Sequence, residues 1–180
     1  MAKDTQEVSK VFFKGLASST LFVSFSTFCA ISGDFALAQQ HDGTLTITGL
    51  DTMKFPDGKI ELDLKDLQVL GSHEIETGTP WTDSVNVFEG VRLDVLLSHL
   101  DITHGSLIAR ALNDYSVEIP VSDAVPGGPI VAYAIDGEAM NTRSRGPFWI
   151  VYPYDSHPRY QSELFYTRSI WHLFSIEVHP

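Results

Sequence analysis

Short strand-like segments separated by turns constrain the fold of this chain more than any other feature of its sequence. Helical patterns are fewer and short, and neither a regular strand–helix–strand alternation nor a glycine-rich phosphate loop is present. Such a chain favours an α+β domain built on mixed or antiparallel sheets over a doubly wound fold. Alternating or apolar runs predict strands over Thr44–Gly49, His73–Thr77, Val85–Phe88, Leu107–Leu112, Ser116–Ile119, Ile130–Ile135, Phe148–Val151 and Ile170–Val178.

Two helices and one hairpin turn complete this prediction. Asp63 can cap a helix over Leu64–Leu70, which Gly71 would end. Leucines at helical spacing predict an amphipathic helix over Arg92–Leu100. The pair Asp136-Gly137 after an apolar run is typical of a β-hairpin turn.

The first residues have the pattern of an export signal. Two lysines precede the mostly apolar run Leu16–Ile31, and Ala36-Leu37-Ala38 has the small-x-small form of a signal peptidase site. We therefore expect a signal peptide over residues 1–38, a single mature domain over residues 39–180 and a periplasmic location. Serines and threonines interrupt the apolar run, so export is expected rather than membrane anchoring.

Cysteine content and charge narrow the possible partners. Phe28 precedes Cys29, which argues against a lipoprotein signal, and this sole cysteine would leave with the signal peptide. The formal net charge is −11, without basic clusters. Phosphate backbones and anionic lipids repel such a chain, so nucleic acids and membrane surfaces are not expected as partners.

The segment Tyr152–Trp171 holds an unusual concentration of tyrosine, arginine and proline. Its pattern is not that of a regular helix or strand, and Pro153 and Pro158 predict a shaped loop. Aromatic rings beside arginines suit a flat, hydrogen-bonding heterocycle, because rings stack and guanidinium groups pair with planar acceptors. The alternative is that these aromatic side chains only close over the core.

Three further groups of residues fit a pocket with this segment. The stretch Asn113-Asp114-Tyr115-Ser116 interrupts two strand-like runs, Trp81 follows the turn Gly78-Thr79-Pro80, and Arg168 precedes Ser169. Each group has an ordinary alternative explanation. The stretch at Asn113 can be a simple turn, Trp81 can cover an edge of the core, and Arg168 can form a surface ion pair. Their occurrence together predicts one shared pocket.

Metal-dependent and nucleophilic chemistry have little support in the sequence. No pair among the seven histidines has HxH or HExxH spacing, and no GxSxG motif is present. We therefore predict neither a structural metal site nor a hydrolase.

Five segments follow one another in a specific order, namely Phe88–Leu97, Ala111–Pro120, Val131–Met140, Gly146–Pro153 and Arg168–Trp171. This order resembles the sulfite-oxidase-type molybdopterin-binding domain family. The resemblance runs from about Thr44 to the end of the chain, and it implies an α+β fold of mixed β-sheets with short helices and a deep pterin pocket.

The chain departs from the catalytic members of that family at two positions. A cysteine thiolate binds molybdenum in those enzymes, and the corresponding position here falls near Thr77, whose hydroxyl is a poor ligand for such a metal. The basic group that follows the Arg-Ser pair in many of them is replaced around Trp171. The chain is also shorter and lacks their dimerisation domain.

These departures resemble small exported members of the family that bind a reduced pterin without metal. The resemblance implies a non-enzymatic pterin-binding protein that relays ligand occupancy to the periplasmic domain of a membrane diguanylate cyclase or phosphodiesterase. Two alternatives stay open: a small periplasmic molybdopterin-dependent oxidoreductase, and an interaction domain without a pocket. Tyr154–Tyr166 is the segment expected to contact the partner, because interface cores are rich in aromatic and arginine residues.

The expected roles of the site residues follow from the shape and polarity of a pterin. Trp81, Trp171 and Tyr154 are expected to stack on the ring. The Asp114 carboxylate would accept from the 2-amino and ring N–H groups, and Asn113 would satisfy the adjacent polar atoms. Arg168 would pair with the carbonyl oxygen or side-chain hydroxyls. The full predicted set is Trp81, Asn113, Asp114, Tyr115, Tyr152, Tyr154, Arg168, Ser169 and Trp171.

Overall fold

Two β-sheets provide the framework in the computed structural model, which describes residues 43–180. The predicted signal peptide and Cys29 lie outside the described residues. The first sheet has the order β2-β1-β10-β5-β6 and contains β1 (Leu45–Thr48), β2 (Lys59–Leu62), β5 (Ser106–Ala111), β6 (Ser116–Pro120) and β10 (Leu173–His179). The second has the order β3-β4-β7-β8, with β9 also on β7, and contains β3 (His73–Thr77), β4 (Asn86–Arg92), β7 (Ile130–Ile135), β8 (Glu138–Ala139) and β9 (Trp149–Val151).

The first sheet is mixed and the second is antiparallel. Strand β1 runs parallel to β10, with Ile47 opposite Ile176, whereas the other pairs of the first sheet are antiparallel. On β1, Leu45 and Ile47 are buried while Thr46 and Thr48 are half-buried. This alternation has the period of two expected for a strand. The predicted α+β architecture with mixed sheets is confirmed.

Three short helices lie between the strands: α1 (Leu64–Val69), α2 (Leu93–His99) and α3 (Glu163–Arg168). Helix α1 starts with the predicted cap, since Asp63 and Asp66 each accept a hydrogen bond from the other's backbone N–H at 2.9 Å. Helix α2 buries its leucine face, as its spacing predicts. Within the described residues, no helix is long and apolar enough to cross a membrane.

Side chains from both sheets contribute to one hydrophobic core. Its fully buried members include Phe88 and Trp149 of the second sheet and Leu45 and Leu107 of the first. The rings of Phe88 and Trp149 meet edge to face with centroids 5.3 Å apart. Trp149 therefore ties the centre of the core to the aromatic residues beside it.

Strand β4 is longer than predicted, because it continues past a bulge into Arg92. The irregularity lies between Glu89 and Gly90, opposite β7. A Cβ at Gly90 would lie 2.3 Å from the backbone oxygen of Val131, so only glycine permits this close approach of the two strands.

The segment predicted as an irregular loop is partly helical, which corrects that prediction. A 3-10 helix covers Pro158–Tyr160 and α3 follows directly. Phe165 is buried on the inner face of α3, so tertiary packing stabilises a helix that is too short to form alone. Strand β10 consequently begins at Leu173 rather than at the predicted Ile170.

Candidate functional site

A cavity of about 370 Å³ lies between α3, the β5–β6 turn and the loop that follows β3. Cavities of this size are at the lower end of the range that small-molecule sites occupy. Apolar and aromatic surface dominates it, with a few polar side chains among the rings. Its lining residues are Trp81, Ala111, Asn113, Tyr115, Glu163, Tyr166, Thr167, Ser169, Ile170 and Trp171.

The β5–β6 turn places Asn113 and Tyr115 on one wall. Asp114, at the tip of the turn, has φ +65°, a conformation that aspartate tolerates better than most residues. The Tyr115 hydroxyl donates to the backbone oxygen of Thr167 at 3.1 Å. This bond joins the turn to α3, so the two walls of the cavity hold each other in place.

Helix α3 contributes the opposite wall through one face. Glu163, Tyr166 and Thr167 are spaced at i, i+3 and i+4, the positions that share a helix face, and Ile170 adds to the wall just beyond the end of the helix. The Thr167 hydroxyl donates to the backbone oxygen of Glu163 at 2.8 Å. A helical interpretation of residues 163–168 would have grouped Glu163, Tyr166 and Thr167 from the sequence.

Five aromatic side chains form a cluster at the base of the site: Trp81, Trp149, Tyr154, Tyr166 and Trp171 (the aromatic cluster). The Trp81 ring centroid lies 5.3 Å from that of Trp171, 5.9 Å from Trp149 and 6.1 Å from Tyr166, all in tilted or edge-on arrangements. Such geometries are favourable for aromatic pairs. The cluster therefore presents ring edges and faces that are already ordered by mutual packing.

Arg145 fixes the loop that carries Trp81. One of its guanidinium nitrogens donates to the backbone oxygen of Trp81, and the guanidinium carbon lies 5.6 Å from the Trp149 ring centroid. On the other side, the Trp81 backbone N–H donates to the Thr79 hydroxyl at 3.1 Å. No sequence pattern marks Arg145, because its contacts depend on the folded positions of Trp81 and Trp149.

Tyr154 supports the cavity from behind rather than lining it. Its ring is buried 5.3 Å from that of Tyr166, and its hydroxyl is hydrogen-bonded to the Ser169 hydroxyl. Ser169 in turn donates to the backbone oxygen of Phe165 at 2.8 Å. Burial raises the pKa of the Tyr154 phenol, so this network stays neutral across the physiological range.

Arg168 is committed to a largely buried ion pair beneath α3. Its Nη1 atom donates to Asp123 Oδ2 at 2.8 Å, with side chains 18% and 8% exposed respectively. The Tyr152 hydroxyl donates to the same oxygen at 2.8 Å, and burial raises the pKa of that phenol. Asp123, which the sequence did not single out, thereby anchors α3 to the 3-10 helix at Val121–Asp123.

The cavity brings together five of the nine predicted site residues. Four lie elsewhere: Asp114 points from the exposed tip of its turn, Tyr152 and Arg168 bind Asp123, and Tyr154 packs behind Tyr166. The carboxylate in the lining belongs to Glu163 instead. The five predicted residues in the lining are Trp81, Asn113, Tyr115, Ser169 and Trp171.

The position expected to bind molybdenum in the catalytic enzymes does not offer a suitable ligand. Thr77 is fully buried, and its hydroxyl accepts from the Asp155 backbone N–H at 3.1 Å. The Asp155 carboxylate accepts from the Gly78 backbone N–H at 2.7 Å and lies 3.3 Å from the Thr77 hydroxyl. Among residues 43–180, no group of three or more His, Cys, Asp or Glu side chains could hold a metal ion.

The donor set therefore fits a flat heterocycle better than the full molybdopterin cofactor. The lining supplies aromatic rings, hydroxyls, one amide and one carboxylate. A phosphate would require cations, and the guanidinium groups of Arg145 and Arg168 are already engaged by Trp81 and Asp123. A pterin ring without phosphate needs stacking surfaces and hydrogen-bond acceptors, which the cavity has.

Comparison with known proteins supports the fold. Neither a family model nor a curated protein matches the sequence. Among solved structures, the chain is similar to the sulfane dehydrogenase SoxCD from Paracoccus pantotrophus, with a TM-score of 0.56 and 17% sequence identity over 77% of this chain. The likeness covers 38% of the SoxCD chain. With its two sheets and short helices, the protein thus has the α+β fold of the sulfite-oxidase molybdopterin-binding type.

Proposed function

We propose that the protein binds a pterin, in reduced form, in the cavity between α3 and the β5–β6 turn, and that it does so without catalytic molybdenum. The observation that carries this proposal is the lining itself. Trp81, Tyr166 and Trp171 offer aromatic surface for a planar ring, while Asn113 and Glu163 offer hydrogen-bonding atoms at its edge. The fold is one in which a pterin-related cofactor is plausible, since the sulfite-oxidase-type resemblance implies it.

The role of the bound pterin is proposed to be a signal. The export pattern in residues 1–38 supports a periplasmic location. The partner would be the periplasmic domain of a membrane diguanylate cyclase or phosphodiesterase, which contacts the segment Tyr154–Tyr166. That segment presents the exposed side chains Arg159 and Leu164 next to residues that line the cavity.

Analysis of the small molecule that copurifies with the protein tests this proposal. The protein is purified from the periplasm of its own cells, and the extracted ligand is identified by absorbance and mass while the metal content is measured. We expect a pterin without a dithiolene phosphate and molybdenum far below stoichiometry. Stoichiometric molybdenum would favour the alternative function, a small molybdopterin-dependent oxidoreductase.

A further inference from the structure

The cavity has a single charged side chain among its described lining residues, and that side chain is Glu163. Its carboxylate makes no hydrogen bond or ion pair with any other residue in the range 43–180. The only polar contact of Glu163 in this wall is through its backbone oxygen, which accepts from Thr167. The two carboxylate oxygens are therefore free to accept from a ligand.

Other acceptors in the lining are weaker or already used. The Asn113 side-chain oxygen accepts from the Tyr115 backbone N–H at 3.3 Å, which leaves mainly its amide donors for a ligand. The buried Ser169 hydroxyl is already hydrogen-bonded to the Tyr154 hydroxyl and to the backbone oxygen of Phe165. Asp114, the carboxylate expected from the sequence, lies outside the lining, whereas Glu163, although also exposed, lies within it. Glu163 is thus the acceptor best placed for a ligand that presents two adjacent donors.

A carboxylate distinguishes ligands by the edge they present. In a pterin, the 2-amino group and the adjacent ring N–H form a pair of parallel donors, which two carboxylate oxygens can accept together. In the corresponding 2-oxo ring, a lumazine, one of these donors becomes a carbonyl oxygen that faces a carboxylate oxygen. A site that accepts from a ligand N–H discriminates against an analogue that lacks it, because the acceptor then faces another oxygen instead of a donor.

We propose that Glu163 is the specificity-determining residue of the site, accepting from the 2-amino and ring N–H groups of the pterin and discriminating against 2-oxo analogues. This inference rests on the proposed pterin-binding function. Asn113 supplies the neighbouring amide donors to the ring carbonyl or nitrogen on the same wall. Negative charge at Glu163 also disfavours phosphorylated ligands, because the lining residues described in the structure include no cation to offset it.

The test compares two probes, a tetrahydropterin and the matching tetrahydrolumazine, kept under anaerobic reducing conditions. Affinities are measured by calorimetry for the wild-type protein and for Glu163→Gln. The wild-type protein should prefer the tetrahydropterin by about 10- to 100-fold, the range expected of a charged hydrogen-bond pair. In Glu163→Gln most of this preference should be lost, because an amide can donate to the lumazine oxygen and cannot accept from both pterin donors.

Two further variants complete the design. Glu118→Gln, on the exposed surface of β6 and outside the lining, removes the same charge and should keep the preference. Asp114→Asn tests the rival carboxylate. An unchanged preference in Glu163→Gln would overturn the inference, and its loss in Asp114→Asn alone would assign the role to Asp114. If the wild-type protein binds neither probe, the proposed function fails together with this inference.

Discussion

Single side chains around the cavity divide into those that face the cavity and those that hold its walls. Trp81 and Trp171 belong to the first group, whereas Tyr152, Asp123 and Arg168 form a buried hydrogen-bonded set beneath α3. Arg168 was expected to contact the ligand, and the alternative considered for it was a surface ion pair. The structure shows an ion pair, but a largely buried one that stabilises the wall.

Replacing Arg168 should therefore lower the free energy of unfolding more than it lowers the affinity for the proposed pterin ligand. In Arg168→Ala the Asp123 carboxylate stays buried without its cation, which typically costs about 3–5 kcal/mol. Tyr152→Phe removes one hydrogen bond to the same carboxylate, leaves the ion pair in place and should cost about 1.5–3 kcal/mol. Urea denaturation of both variants measures these free energies of unfolding, and a loss below that of Tyr152→Phe for Arg168→Ala would contradict the account.

At the scale of elements, much of the fold could be predicted from local pattern. The capping residues of α1, the leucine face of α2 and the alternation on β1 and β3 all appear in the sequence, and the structure confirms them. Helix α3 was missed because its neighbours, prolines and tyrosines, suggest a loop and because it is held by the burial of Phe165 rather than by propensity. Since α3 supplies one wall, Glu163 and Tyr166 were missed with it.

The bulge in β4 is an element-scale feature that depends on one residue. In Gly90→Ala the added methyl group would meet the Val131 backbone oxygen and the Ala132 Cα, at 2.3 and 2.6 Å, so β4 and β7 must separate. We expect a loss of about 1–3 kcal/mol in the free energy of unfolding. Gly127→Ala, where nothing lies within 4 Å of the added atom, is a control without a steric clash, although its positive φ carries its own strain. Equal small effects in both variants would argue against the close approach.

The segment Tyr154–Tyr166 links the cavity to a surface that a partner can reach. The Arg159 side chain is exposed, and its guanidinium carbon lies 4.8 Å from the Tyr160 ring centroid. We expect Arg159→Ala to weaken binding to the proposed partner while sparing affinity for the proposed pterin ligand, because Arg159 is not in the lining. Pterin should also raise the affinity of the wild-type protein for the proposed partner. A ligand can do so only if it binds more tightly to the conformation of this segment that docks than to the one that does not. Equal partner affinity with and without pterin would show that occupancy is not transmitted through this segment.

For the molecule as a whole, buried phenols set an alkaline limit to stability. Burial raises the pKa of Tyr152 and Tyr154 above the value of 10.0 that a free tyrosine has. The unfolded chain then loses phenol protons above pH 10 while the folded protein retains them, so the free energy of unfolding should fall as the pH rises beyond that value. Denaturation at pH 8 and pH 10.5 checks this, and Tyr152→Phe should reduce the pH dependence.

The proposed pterin ring would lie against Trp81 and Trp171, next to the buried Trp149. All three tryptophans of the chain belong to the aromatic cluster, with ring centroids no more than 6.1 Å apart, so a ring bound there should quench the intrinsic fluorescence. Titration of the protein with a tetrahydropterin, read by fluorescence and calorimetry, measures binding directly. We predict saturable binding of one ligand per chain and a loss of affinity of about 5- to 150-fold in Trp171→Ala, which corresponds to the roughly 1–3 kcal/mol of a stacked aromatic contact. Absence of binding, or an affinity that Trp171→Ala leaves unchanged, would contradict the account.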